Sequence, residues 1–178
     1  MFVSYSKMTQ TKEKWMDPFY LNFMGACDGV TYVNKHWITP KVCIGDAESS
    51  YERFDIVVNA NYPHNYVKHG NIGRKEMTDY KCTLYLVGMC DHDTEDIIPY
   101  VEDLIPRLKI KYNEKPSLRI LFHCFAGKSR SVSLALAYLV EVLGMNVDEA
   151  LALIKEKRPH VDPRPLFIET LRNKYLDK

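Results

Sequence analysis

His123, Cys124, Phe125, Ala126, Gly127, Lys128, Ser129, Arg130 and Ser131 follow one another in the chain, so a thiol, a glycine, a guanidinium and several hydroxyls fall within nine residues. Such a set can hold an anion and attack it. Upstream, Leu118-Arg119-Ile120-Leu121-Phe122 reads as a buried strand, and downstream the run Val132 to Val140 reads as a helix packed on a core. Cys124 therefore sits at a strand-to-helix turn, where unpaired backbone N–H groups and the positive end of the helix dipole converge. A phosphate dianion fits that concavity, cradled by Phe125, Ala126, Gly127, Lys128, Ser129 and Arg130. Arg130 can return to the rim with two parallel N–H donors, a geometry that lysine lacks. The same field draws Cys124 toward the thiolate, the nucleophilic form. Gly127 suits a positive φ or a close approach to the ligand. Ser131 can donate its hydroxyl proton to the sulfur and ease its departure from phosphorus, and His123 is expected to hold the loop by hydrogen bonds rather than act as a base.

Each residue alone has a plainer reading. A lone cysteine after an apolar strand is ordinarily an inert small hydrophobe, and a lone arginine a solvated cation. Their combination at this spacing points to hydrolysis of a phosphate ester. Ala126-Gly127-Lys128-Ser129 also looks like the end of a nucleotide-binding loop, but Phe122 stands where that motif needs its first glycine.

Ester cleavage also needs a proton for the leaving oxygen, supplied by a carboxyl on a nearby loop. Asp91, Asp93, Glu95 and Asp96 are the candidates. They follow an apolar strand, Thr83 to Met89, and precede a helix with Ile97, Val101, Leu104, Ile105 and Leu108 on one face. Asp91 lies at the exit of the strand. Asp96 is expected to cap the helix, with Pro99 in its first turn.

The central stretch matches HCxxGxxR[S/T], and His123-Cys124-Phe125-Ala126-Gly127-Lys128-Ser129-Arg130-Ser131 followed by Ala137-Tyr138-Leu139 resembles the dual-specificity branch of the cysteine-dependent protein tyrosine phosphatases, the poxvirus type included. Thr39 to Gly45 is similar to that family's opening strand and Phe54 to Ala60 to its next core strand. The resemblance implies a catalytic trio of Cys124 as nucleophile, Arg130 as phosphate clamp and an acid about ten residues before Tyr100-Val101, which selects Asp91 with Asp93 in reserve. It also implies a cysteinyl-phosphate intermediate, no metal and no cofactor.

Substrate choice is read from departures. The chain has no KNRY-like recognition segment of the kind that deepens a phosphotyrosine cleft, so phosphoserine and phosphothreonine are expected to reach the thiol as well. Inositol-lipid phosphatases on this scaffold carry extra basic residues in the loop; here Lys128 is one, while Phe125 replaces the other. His160-Val161-Asp162-Pro163-Arg164-Pro165 is nonetheless similar to the Arg-Pro turn of the mitochondrial lipid-phosphate branch. A lipid-phosphate or RNA 5′-phosphatase, and a phosphoprotein-binding inactive relative, are the competing readings. Arg164 stands where asparagine often follows the proline, and Thr170 where glutamine is common. Arg164 is expected to extend a basic rim that favours acidic substrates.

The whole chain sets wider bounds. Its 178 residues suit one substantial core, and a net charge of +1 offers no electrostatic case for nucleic acid or bulk membrane binding. Phosphorylated proteins are the expected partners, with the chain a monomer or weak homodimer. Five cysteines, Cys27, Cys43, Cys82, Cys90 and Cys124, form an odd set with no CxxC pair, and the histidines show no zinc-ligand spacing. A cytoplasmic or other reducing compartment follows, with no signal peptide or membrane span. Residues 1–29 read as an N-terminal arm and 30–178 as the catalytic domain. Asn61 to Tyr80, with Pro63, Gly70 and Gly73, reads as irregular. Asn146 to Glu149 reads as a capping box opening a helix to about Lys157, and Pro165 as the start of a last helix. Alternating strands and helices predict a three-layer α/β sandwich with a mostly parallel central sheet.

Overall fold

The structure, a computed structural model, describes residues 34–61 and 67–176. The proposed arm over residues 1–29 lies outside them. In chain order the elements are β1 (Lys35–Trp37), β2 (Val42–Gly45), β3 (Ile56–Asn59), β4 (Ile72–Met77), β5 (Cys82–Val87), α1 (Ile98–Glu114), β6 (Ile120–His123), α2 (Arg130–Glu141), α3 (Val147–Lys157) and α4 (Pro165–Lys174). The sheet runs in the order β1-β2-β6-β3-β5-β4. Its four inner strands are parallel and both edge strands antiparallel.

The inner strands are short apolar runs, as expected of strands buried on both faces. Their two-residue period sorts the side chains. Val42, Ile44, Ile56, Val58, Tyr85, Val87, Ile120 and Phe122 join one large core with the buried residues of all four helices. Cys43, Val57, Cys82, Leu84 and Leu121 point to the other face, where Phe54, Tyr51 and Tyr80 pack on them from loops. Helix α2 is buried from Ser131 to Val140, so it is the central helix of the layer and tolerates no polar face. Helix α3 begins as expected at Asn146, whose side chain accepts a bond from the Asp148 amide.

Two elements depart from the sequence reading. The stretch from Asn61 to Tyr80, expected to be irregular, contains β4, paired antiparallel with β5 from Ile72 opposite Val87 to Met77 opposite Cys82. Strand β1, for which no expectation was formed, pairs with β2 from Lys35 to Trp37. Both are polar edge strands without a fully buried residue. They are held by backbone bonds to a neighbour, so side-chain periodicity does not announce them.

Parallel register places the site. Gly45 and Asn59 lie on either side of His123, and Leu86 lies beside Asn59. The loops leaving β2, β3, β5 and β6 therefore all emerge at the carboxyl end of the sheet, the usual ligand-binding edge of such folds.

Candidate active site

Cys124 follows β6 directly and is 2% exposed. Its Sγ lies 3.2 Å from Ser131 Oγ, in the first turn of α2. Between them the loop is held from outside by its carbonyls. Phe125 O accepts from the Ala47 amide at 3.0 Å, and Lys128 O from the Asp162 amide at 3.0 Å. Ala126 O and Gly127 O accept from the Arg158 guanidinium, at 3.4 and 2.9 Å. In a trans peptide, C=O and the following N–H point in opposite directions. Four carbonyls tied outward thus turn the amides of Ala126, Gly127, Lys128 and Ser129 inward, toward the sulfur.

Gly127 is required twice over. Its φ is +63°, and a Cβ would stand 2.5 Å from Gly45 O and 2.4 Å from an Arg158 terminal nitrogen. His123 is buried, and its Nε2 shares a 2.9 Å hydrogen bond with the Tyr51 hydroxyl, which lies outside the loop it was expected to hold. Phe125 is half-buried and Lys128 exposed.

Arg130 spends Nη1 on Ala60 O at 3.0 Å, which fixes the guanidinium plane and leaves the edge carrying Nε, a buried atom without a hydrogen-bond partner. Asp91 reaches over from the loop after β5. Its Oδ1 accepts from Ser129 Oγ at 2.8 Å and from Arg164 Nε at 2.9 Å, while Oδ2 lies 3.5 Å from Arg130 Nε. Among the described residues Asp93 pairs with Arg164 alone, and it is largely exposed. Glu95 is buried and accepts from the Tyr100 hydroxyl, with His69 Nε2 2.7 Å away. Asp96 is not the cap expected from the sequence: the N-cap residue is Ile97, without a side-chain cap bond, and Asp96 Oδ1 accepts from the Ile98 amide at 2.9 Å from the position before it. The structure thus brings Asp91 to the loop after Cys124, ties Glu95 to Tyr100 and His69, and leaves Asp96 at the entry to α1.

With this geometry in hand, the comparisons are direct. The family described as "Dual specificity phosphatase, catalytic domain" matches residues 37–176, most of the chain. The chain belongs to that family. Among relatives of this phosphatase domain, the dual specificity protein phosphatase Mpk3 of Drosophila melanogaster is 27% identical over 130 residues, 72% of this chain but 29% of that protein. The chain thus spans under a third of that relative's length. In fold, human DUSP28 superposes with a TM-score of 0.66 at 18% identity, over 83% of this chain and 98% of that one. A crystal structure of PTPMT1 in complex with PI(5)P superposes with a TM-score of 0.61 at 22% identity, over 78% of this chain and 92% of that one. At these identities the likeness concerns the fold alone, so the substrate must be argued from the site.

Arg158 is the residue of this phosphatase domain that sequence reasoning missed. It is fully buried at the carboxyl end of α3, and also donates to Asn34 O at 3.2 Å. Burial pulls its basicity down, opposed by the nearby Asp46 carboxylate and the Cys124 and Cys43 thiols. His69 also meets Cys90 and Glu95 of the loop between β5 and α1, with one potential ligand atom each within 4.8 Å of one another. The Glu95 oxygens are engaged by His69 and Tyr100, so a hydrogen-bond network accounts for the cluster.

The remaining described thiols are inert by environment. Burial pushes Cys43 up to about 12 and Cys82 up to about 11, and it also raises Cys90. A raised thiol stays protonated and unreactive at neutral pH. Iodoacetamide at pH 7, followed by peptide mass mapping, is expected to leave Cys43 and Cys82 unmodified until the chain is unfolded. Labelling of either in the native protein would contradict that burial.

Proposed function

We propose that this domain hydrolyses phosphotyrosine and phosphoserine or phosphothreonine in proteins through a phosphocysteine. The observation that carries this reading is the sulfur of Cys124 at the start of a loop whose Phe125, Ala126, Gly127 and Lys128 carbonyls are held by groups outside it. In the first step Cys124 Sγ attacks phosphorus and the ester P–O bond breaks. Charge builds on the phosphoryl oxygens, where inward amides and the Arg130 edge are already aimed, so little reorganisation is needed. Asp91 gives its proton to the departing oxygen. In the second step water attacks the S–P bond, Asp91 takes the proton of that water, and the Ser131 hydroxyl supports the sulfur as it leaves. Inorganic phosphate is released, Asp91 is left protonated for the next cycle, and the sulfur returns in the anionic form in which it attacked, so the protons balance.

Dual specificity is supported by the lack of a cleft-deepening segment in the sequence, and a protein substrate by Phe125, which offers a phosphotyrosine ring an apolar face. The test is phosphate release from phosphotyrosine and phosphothreonine peptides, a phosphoinositide in micelles and triphosphate-ended RNA. Both peptides are expected to be cleaved faster than the lipid and the RNA. Preference for the lipid or the RNA would replace the protein substrate, and binding of phosphopeptide without any turnover would make the chain a capture module.

A further inference from the structure

We infer that Arg164 is a positioning residue that holds Asp91 over the phosphate loop; this rests on the proposed phosphatase reaction. Its guanidinium makes three separate contacts with one short loop. Nε lies 2.9 Å from Asp91 Oδ1, Nη2 lies 2.6 Å from the Asp91 backbone carbonyl, and Nη1 lies 2.6 Å from Asp93 Oδ1. The expected basic rim is therefore not what this side chain forms. It faces the acid loop.

The backbone beneath is pinned just as firmly. Pro163 and Pro165 flank Arg164, and a residue before proline is confined to the extended region, where Arg164 sits at ψ 133°. The Arg164 amide donates to Ser129 Oγ at 3.3 Å, and the Asp162 amide to Lys128 O at 3.0 Å. The Pro-Arg-Pro turn is thus a strut with one foot on the phosphate loop and a forked hand on the acid loop.

Protonation of Asp91 does not undo this grip. A general acid must be neutral when it acts, which weakens any contact to its carboxylate, but the bonds to the Asp91 carbonyl and to Asp93 do not depend on that proton. Asp93, the reserve acid, becomes the second anchor of the latch. Asparagine at position 164 could not span both carboxylates, because it is shorter and carries a single amide donor group.

Leaving groups distinguish this part from others. Phenyl phosphate releases a poor leaving group that needs a proton, whereas 6,8-difluoro-4-methylumbelliferyl phosphate releases an acidic one that does not. Arg164→Met is expected to lower kcat on phenyl phosphate about 30-fold, with KM changed by less than about threefold. On the coumarin ester the same variant should lose less than about threefold. Arg164→Lys keeps the charge without the fork and should fall between. In an Asp91→Asn background, Arg164→Met should add no further loss, because its effect runs through Asp91. Equal losses on the two esters, a loss carried by KM, or additive losses in the double variant would each overturn the inference while leaving the phosphatase reading standing. A wild-type chain that cleaves neither ester would remove that reading, and this inference with it.

Discussion

Cys124→Ser is expected to cut turnover of phosphotyrosine and phosphothreonine peptides by about 10⁴-fold or more, roughly 5 kcal/mol of transition-state stabilisation, with peptide affinity changed by only a few-fold. An alcohol is far less acidic than a thiol, so the attacking atom remains protonated, and no neighbouring base is placed to take that proton. Ser131 Oγ, 3.2 Å from the sulfur, is itself a hydroxyl. Binding should survive because its parts lie elsewhere. The inward amides are set by Ala47, Asp162 and Arg158, and Arg130 is fixed through Ala60. None of these touches the substituted atom. Single-turnover phosphate release and fluorescence anisotropy with a labelled phosphopeptide measure the two halves separately. Retained turnover would show that the reaction does not pass through this sulfur.

Arg158→Met should carry the second large effect, here on the fold as well as on the reaction. The substitution leaves the carbonyls of Ala126 and Gly127 without their donor in a fully buried site. It also removes the cation near the buried Asp46. Relief of the arginine's own desolvation offsets part of this, so a net loss of about 3 kcal/mol is expected, seen as a drop of roughly 6–12 °C in Tm. Below the melting range the loop carbonyls are free to rotate, and the affinity for inorganic phosphate as a competitive inhibitor should fall about tenfold or more. Arg158→Lys restores charge but cannot reach three carbonyls at once, so it should recover stability better than affinity. Unchanged melting and unchanged inhibition in Arg158→Met would show that the loop holds its shape by itself.

Much of the site was legible because its chemistry is contiguous. Cys124, Gly127, Arg130 and Ser131 lie within one turn of loop and the first turn of α2, where local backbone geometry already brings them together. Asp91 was proposed by combining a strand exit with a count back from Tyr100, and its contacts with Ser129 and Arg130 set it apart from Asp93. Strands β5 and β6 and helices α1 and α2 were visible from apolar runs, α3 and α4 from the signals at Asn146 and Pro165, and β2 and β3 from the family resemblance of their segments. Glu95 and Asp96 looked equally acidic in the sequence, yet one is buried against Tyr100 and the other stands at the entry to a helix.

Short-range spacing and burial periodicity, written along the chain, were enough to reach the class of fold and to single out Cys124 and the loop after it as the proposed nucleophile and phosphate cradle. The tertiary structure alone decided the two edge strands, the buried Arg158 beneath the loop and the Arg164 grip on Asp91 and Asp93. Edge strands bond through backbone atoms that every residue shares. A buried or bridging arginine has the same letter as a solvated one, and only the docking of α3 and of the Pro-Arg-Pro turn against distant loops supplies its partners.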